Sequence, residues 1–153
     1  MKQIVTVIVA LSASVMFAGA QPAKEPYEPD LGEFMTATQL RHAKLWSAGK
    51  QNNWDLAAYE IDEIKEGLED AARLHPKPFD GVPVAAMIKT IIDPRMEELE
   101  KAMRAKSEAK FIVAFDELTS GCNTCHVGAN KPFIRIQRPT EFPLTNQNFA
   151  PEK

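Results

Sequence analysis

Between residues 31 and 126, apolar residues recur every three or four positions, which is the spacing of one face of an amphipathic α-helix. The first predicted helix runs from about Leu31 to Ala48 and ends at Gly49. Asn52 or Asn53 then caps a second helix. The predicted inward positions are Leu31, Met35, Thr38, His42 and Leu45 in the first helix and Ala57, Ile61, Ile64, Leu68 and Ala71 in the second. Both helices therefore present one apolar stripe to a common core.

Two further helical regions come after a turn rich in proline and glycine. The third covers about residues 83–105 and contains Asp93 followed by Pro94. Because an interior proline removes a backbone donor, we expect a kink or a break there, with Asp93 capping the helical stretch after it. The fourth helix begins near Ser107, and its stripe consists of Phe111, Phe115, Leu118, Cys122 and Cys125. The cysteines of the chain therefore continue a core-facing stripe.

Four helices with short connections predict an all-α fold, an antiparallel four-helix bundle. Residues 127–153 contain four prolines and cannot form a continuous helix. They also contain several large apolar side chains, so we expect an irregular C-terminal extension that packs on the bundle. In an up-down-up-down arrangement, the end of the fourth helix lies beside the start of the first.

The first twenty residues have the pattern of an export signal. Lys2 precedes an apolar stretch at 4–17, and Ala18-Gly19-Ala20 is a small-x-small cleavage site. The stretch is short for a membrane-spanning helix, so an uncleaved signal anchor is the less favoured alternative. The predicted organisation is a signal peptide at 1–20, an extended leader at 21–30, a helical domain at 31–126 and the extension at 127–153.

Composition and charge exclude some classes of function. The formal net charge is -3 at pH 7, so no basic excess points to nucleic acid. No segment is predicted to span a membrane after signal cleavage, and no acid–base constellation suggests an enzyme. The acidic residues of the second helix are interpreted as a solvated surface; they are Glu60, Asp62, Glu63, Glu66 and Glu69.

Residues 122–126 have the sequence C-x-x-C-H, which is the attachment signature of c-type haem. Two thiols at this spacing can form thioethers with the vinyl groups on one edge of a porphyrin, and the adjacent histidine can reach the iron. A structural zinc site needs further ligands, yet His42 and His75 are isolated. A thioredoxin-like dithiol needs a βαβ pattern, which we do not find. A disulfide or two ordinary buried thiols is the remaining alternative.

These features together resemble the class II c-type cytochromes, the cytochrome c′ family, in which a signal peptide precedes a four-helix bundle with one haem motif at the end of the last helix. The resemblance covers about residues 31–126. It implies one covalent haem c, with Cys122 and Cys125 as thioether residues and His126 as the proximal iron ligand. The 27 residues after His126, and Asn130 where the family usually has a basic residue, predict a separate branch.

The resemblance also implies where the sixth iron ligand comes from. In that family a first-helix residue faces the proximal histidine: it is methionine in electron-transferring members and a non-ligating apolar residue in gas-binding ones. Met35 stands at the matching level and is the predicted distal ligand. His42, roughly 10 Å further along the helix, is the alternative ligand, and an open distal face is the third possibility. A thioether ligand raises the iron potential and suits electron transfer.

The sequence therefore predicts a periplasmic monohaem cytochrome that carries single electrons between redox proteins. The first alternative is a haem protein that binds NO, CO or O2, and a peroxidase-like enzyme with His42 as its base is a more distant one. Arg135, together with Lys131 and Arg138, is predicted to pair with the haem propionates or to form a rim for an acidic partner, and freely solvated side chains are the equally favoured alternative. The resemblance leaves a homodimer through the first two helices open.

Overall fold

The computed structural model describes residues 27–77, 81–141 and 146–152. Within these ranges the regular structure consists of four helical segments, and there is no β-strand. The all-α prediction is confirmed for this part of the chain, and the helices are compatible with a bundle. No helix in the described ranges is both long and apolar enough to cross a membrane. The predicted signal peptide and residues 21–26 of the leader lie outside the described residues.

The first two helices begin at side-chain caps. The first, Leu31–Lys50, comes after Asp30, whose carboxylate accepts a backbone N–H of the first turn at 2.9 Å. The second, Trp54–Leu74, comes after Asn53, whose side-chain oxygen accepts a first-turn N–H at 3.2 Å. Of the two asparagines predicted as the cap of the second helix, Asn53 is therefore the one used.

Gly49 lies inside the first helix, so the prediction that it ends this helix is wrong. The chain turns instead at Asn52, which has a left-handed backbone with φ of 57°. Packing explains the glycine: a Cβ atom at position 49 would lie 2.2 Å from the ring of Phe111. Gly49 therefore allows the fourth helix to approach the first closely.

The third helical segment runs from 84 to 104 without a break. It is an α-helix over Val84–Met87, a π-helical turn over Ile88–Ile92 and an α-helix again over Asp93–Arg104. The predicted interruption takes the form of this wider turn, which accommodates Pro94. The predicted cap at Asp93 is wrong, because its backbone is helical and no side-chain cap is formed.

The fourth helix, Glu108–Gly128, comes after Ser107, whose hydroxyl oxygen accepts a first-turn N–H at 3.4 Å. It continues two residues beyond His126, where the predicted helical domain ends. Residues 122–126 therefore lie within its last two turns and have helical geometry.

The core is built from one stripe of each helix. The five predicted inward positions of the second helix are all buried, as are Phe111, Phe115 and Leu118 of the fourth. Phe149, in the described end of the extension, belongs to the same buried cluster. The apolar periodicity thus predicted the core-facing sides of these two helices correctly.

Glu60 corrects the prediction of a wholly solvated acidic face on the second helix. Its side chain is only 1% exposed, and its Oε2 atom accepts a hydrogen bond from Arg41 at 3.2 Å. Arg41 also pairs with Glu63 at 2.7 Å. The arginine of the first helix therefore draws one carboxylate into the interface between the first two helices.

Contacts between the first and fourth helices have a regular order. As residue numbers rise along the first helix, the numbers of its partners fall along the fourth. From one end to the other, His42 hydrogen-bonds Thr119, Trp46 packs on Phe115 and Phe111, and Lys50 pairs with Glu108.

Candidate functional site

A cavity of about 770 Å³ lies among the helices, at the C-terminal end of the fourth helix. Its volume is in the range of small-molecule and cofactor sites. The apolar part of its wall is contributed by all four helical segments and the extension, and includes Leu31, Ile64, Leu68, Ile88, Leu118, Ile134 and Ile136. Such a wall favours a large apolar ligand that is held by a few polar groups.

The cavity brings together residues that the sequence predicted separately. The first helix and the fourth helix both contribute to its wall. The predicted site residues that line it are Met35, His42, Cys122, Cys125 and His126. Met87 and His75 also line it, so the site contains both thiols, two thioethers and three imidazoles.

Cys122 and Cys125 are free thiols one helical turn apart, on one side of the fourth helix. Burial raises the pKa of Cys122 to about 12, and the neighbouring Cys125 adds to this effect. Burial also raises the pKa of Cys125. Both groups are thus protonated at neutral pH. The described residues include no group of three or more His, Cys, Asp or Glu that could hold a metal ion.

Arg95 places a partly buried positive charge near the two thiols. Its side chain crosses the fourth helix at Gly121, where a Cβ atom would lie 2.6 Å from Arg95 Cδ. One terminal N–H donates to the carbonyl of Ile91 in the π-helical turn at 2.6 Å, and the buried Nε has no partner among the described residues. The guanidinium charge partly offsets the effect of burial on the pKa of both thiols.

His126 is held by the extension that comes after it. Its Nδ1 atom lies 3.1 Å from the carbonyl oxygen of Ile134. Because a carbonyl only accepts, Nδ1 carries the proton, and in the neutral ring Nε2 then carries the lone pair. A histidine that ligates a metal through one ring nitrogen commonly donates its other N–H to such a carbonyl. The tautomer of His126 is therefore the one that an Nε2 ligand requires.

His42 has the opposite arrangement. Its Nε2 atom is 2.8 Å from Thr119 Oγ1, and the Thr119 hydroxyl donates its own proton to the carbonyl of Phe115 at 2.8 Å. The hydroxyl oxygen must therefore accept from His42 Nε2–H. The ring also packs on Phe115, with centroids 4.3 Å apart, and burial lowers the pKa of His42 to about 4. His42 is thus a neutral, hydrogen-bonded core histidine.

Two thioethers line the cavity, and sequence reasoning singled out only one of them. Met35 comes from the first helix, while Met87 comes from the third segment. Met87 packs on the helix that carries His126, since a Cβ atom at Gly128 would lie 2.6 Å from its methyl group. Both thioethers therefore come from helices other than the one that carries the motif, and Met87 contacts the end of that helix.

The basic residues of the extension have different surroundings. Lys131 lines the cavity, whereas Arg135 is exposed and is not among the lining residues. Arg138 forms an ion pair with Asp116, and its guanidinium lies 4.9 Å from the ring of Trp46. Of the three basic residues considered as propionate partners, Lys131 is thus the one that the fold places at the cavity.

The extension is also bonded to the motif itself. Asn123 Nδ2 donates to the carbonyl of Ile136 at 2.8 Å, and the Ile136 N–H donates to Asn123 Oδ1 at 2.7 Å. Sequence reasoning missed Thr119, Asn123 and Met87. Thr119 is the neighbour of the predicted core position Leu118, and Met87 lies in the predicted third helical region. Only the packing of separate elements shows what each one contacts.

Comparisons with known protein families, with curated proteins and with solved structures found no match. The interpretation of the cavity therefore rests on its residues and their geometry.

Proposed function

We propose that this protein is a monohaem c-type cytochrome, similar in architecture to the class II cytochromes, that carries single electrons between periplasmic redox partners. The observation that supports this best is the cavity, because both thiols of C-x-x-C-H, its histidine and a thioether from another helix line it together. Its volume and apolar wall suit a porphyrin. A bound haem would supply a reversible one-electron couple at iron.

In this proposal Cys122 and Cys125 form the two thioether bonds, and His126 is the proximal ligand. The positions of the two thiols on one side of a helix support a single covalent attachment edge. The Ile134 carbonyl supports the ligand role of His126, because it leaves Nε2 unprotonated and fixes the plane of the ring.

We assign the distal position to Met35 and not to His42. Nε2 of His42 donates to Thr119, so that nitrogen has no lone pair for iron. Ligation through Nε2 would require the ring to leave its contact with Phe115 and to lose the Thr119 bond, both of which are buried. Met35 is half-buried on the cavity wall and makes no such bond through its sulfur among the described contacts.

We further propose that the helices form an antiparallel bundle and that the extension packs on it. The antiparallel arrangement is supported by the contacts between the first and fourth helices, in which residue numbers rise along one helix as they fall along the other. Bonds from Asn123 to Ile136, from Asn53 to the Ala150 carbonyl and from Arg138 to Asp116 support the packing of the extension. Ile134 and Ile136 then cover one side of the cavity and exclude water from it.

The surface of the extension suggests the kind of redox partner. Residues 127–140 contain three basic residues and no acidic one, although the chain as a whole has a net charge of -3. Arg135 is exposed there, and nearby in the chain Phe133 is 76% exposed. An acidic partner with an apolar centre would match this surface. The pattern of residues 1–20 supports export to the periplasm, and we propose a carrier without enzymatic activity.

Expression of the full chain with a c-type maturation system tests the proposal. We expect a coloured protein whose mass exceeds that of the processed polypeptide by one haem, with a low-spin reduced spectrum that carbon monoxide does not change. A colourless product with the mass of the bare polypeptide would contradict the haem assignment. A wild-type spectrum that shifts with carbon monoxide would favour the gas-binding alternative instead.

Substitution of the two cavity thioethers tests the distal ligand. Met35→Ala should give a high-spin protein that binds carbon monoxide. Met87→Ala is the matched control and should stay low-spin, as should His42→Ala if its ring is not a ligand. A high-spin His42→Ala protein beside a low-spin Met35→Ala protein would reverse the assignment.

A further inference from the structure

The first variable position of the C-x-x-C-H motif makes two hydrogen bonds to one residue of the extension. Asn123 Nδ2 donates to the Ile136 carbonyl at 2.8 Å, and Asn123 Oδ1 accepts the Ile136 N–H at 2.7 Å. The side-chain amide thus satisfies both polar groups of a single residue, as a neighbouring strand would. This pair of bonds fixes the distance of Ile136 from the fourth helix and the rotation of its backbone.

A second set of bonds fixes the chain just after the helix. Asn130 has a left-handed backbone with φ of 58°, and the Lys131 N–H donates to the carbonyl of His126 at 2.8 Å. The Ile134 N–H then donates to the Lys131 carbonyl at 3.0 Å. The segment 131–136 is therefore held at one end by the backbone of the motif and at the other by Asn123.

Ile134 lies between these two points, and its carbonyl accepts from His126 Nδ1 at 3.1 Å. The carbonyl belongs to a stretch without regular secondary structure, so no helix or sheet fixes its direction. Its direction depends on the anchors on either side. Release of Ile136 would leave the residues after Lys131 free to turn the carbonyl away from the imidazole.

From this geometry we infer that Asn123 is a positioning residue for His126: it holds the extension so that the Ile134 carbonyl sets the tautomer and orientation of the imidazole. The inference rests on the proposed function, in which Nε2 of His126 is the proximal ligand. An N–H donated to a carbonyl raises the basicity of the opposite nitrogen, and a more basic ligand stabilises oxidised iron. Intact anchoring therefore lowers the midpoint potential of the site.

Two variants of the motif separate this role from a general effect of mutation. Asn123→Leu has nearly the same shape but loses both bonds to Ile136. Thr124→Val is the matched control, because Thr124 is exposed and its hydroxyl donates only to the Ser120 carbonyl of its own helix at 2.9 Å. In the purified holoproteins, Asn123→Leu should raise the midpoint potential and speed solvent exchange of the His126 Nδ1 proton in NMR spectra. Thr124→Val should match the wild type in both measurements.

The outcomes distinguish the inference from the function on which it rests. A colourless wild-type protein would contradict the haem assignment itself. A coloured wild type in which Asn123→Leu and Thr124→Val have the same potential and the same proton exchange would overturn the positioning role and leave the assignment intact. If Asn123→Leu does not mature, Asn123→Gln keeps both polar groups at a longer reach and should give smaller changes in the same direction. A fast-exchanging Nδ1 proton in the wild type would also overturn the inference.

Discussion

The two ends of the fourth helix are packed in opposite ways. The inward face of its N-terminal half is packed with aromatic rings: Phe111 and Phe115 are fully buried, and the Trp46 ring centroid lies 4.9 Å from that of Phe115. Its C-terminal half borders a cavity of about 770 Å³. One helix with one continuous apolar stripe thus has a closed end, at residues 108–115, and an open end, at residues 118–128.

This difference indicates that the closed end contributes mainly to stability and the open end mainly to ligand binding. At the closed end, the Phe111 ring packs directly against Gly49 of the first helix and occupies the space that a Cβ atom would need. At the open end, Cys122 and Cys125 are only partly buried, and Arg95 keeps an unpaired buried Nε beside them. An apolar space of this size lowers the stability of a folded chain unless a ligand fills it. Substitutions at the closed end should therefore change stability, and those at the open end should change which ligand is bound.

The largest effect is expected from removal of both thiols at the open end. Cys122→Ala with Cys125→Ala should abolish covalent haem attachment completely, because thioethers cannot form. The helical content should remain, since both side chains are partly exposed and the closed end is untouched. Mass spectrometry of the denatured protein and far-ultraviolet circular dichroism check the two statements. Haem that stays attached to this variant through denaturation would contradict the assignment.

Truncation of a ring at the closed end should lower the free energy of unfolding strongly. Phe111→Ala should cost about 3–5 kcal/mol, because a fully buried aromatic side chain leaves a cavity. Ile134→Ala, in the extension beside the open end, is the control and should cost about 1 kcal/mol or less, since that side chain is 41% exposed. Urea unfolding measures both. Equal costs would remove the distinction between the two ends.

His42, which contacts Thr119 of the fourth helix, makes the stability of the protein depend on pH. Burial lowers the pKa of His42 to about 4 in the folded protein, below its ordinary value of 6.5. Between these values the unfolded chain binds a proton that the folded chain does not, so stability is full above pH 6.5 and falls as the pH decreases toward 4. The loss from this group should reach about 3 kcal/mol.

Urea unfolding of the wild type and of His42→Gln at several pH values measures this dependence. The variant keeps a donor for Thr119 but has no group that titrates in this range, so its stability should fall less between pH 6.5 and pH 4. Parallel curves for the two proteins would show that His42 is accessible to protons in the folded state.

The smallest expected change in stability comes from a substitution that tests the close contact between Gly49 of the first helix and Phe111 of the fourth. Gly49→Ala should lower the free energy of unfolding by about 1–3 kcal/mol, because its Cβ would overlap the Phe111 ring. Gly67→Ala in the second helix is the control: its Cβ would have no neighbour closer than Thr38 Oγ1 at 3.9 Å. That substitution should raise stability by about 0.5–1 kcal/mol through helix propensity. Thermal unfolding compares them, and a stabilised Gly49→Ala protein would contradict the packing.

Periodicity predicted the helices well because their stripes are long and regular. The five inward positions predicted for the second helix are all buried, and the cysteines continue the stripe of the fourth helix onto the cavity wall. A helix exposes the same face every three or four residues whatever it packs against, so a single chain carries this information.

The incorrect predictions share a cause, since each depended on a partner from another element or on a turn that the local pattern does not show. Gly49 looked like a helix end, but the ring of Phe111 explains it. Glu60 looked solvated, but Arg41 of the first helix holds it in the interface. The cap predicted at Asp93 is absent because a π-helical turn carries the chain through the proline. In each case, tertiary packing outweighs the local preference of the residue for a helix end, a solvated position or a cap.

By itself the sequence determined the four helical segments, their apolar faces and a motif whose two thiols and imidazole lie on successive turns of one helix. These properties depend on spacing along the chain, which covalent geometry and the helical repeat make local. Only the tertiary structure decided that Met35 reaches the same cavity, that Thr119 engages His42 and that the Ile134 carbonyl orients His126. Such contacts join residues that are far apart in the sequence or lie in irregular chain, and only the packing of the whole domain sets their distances.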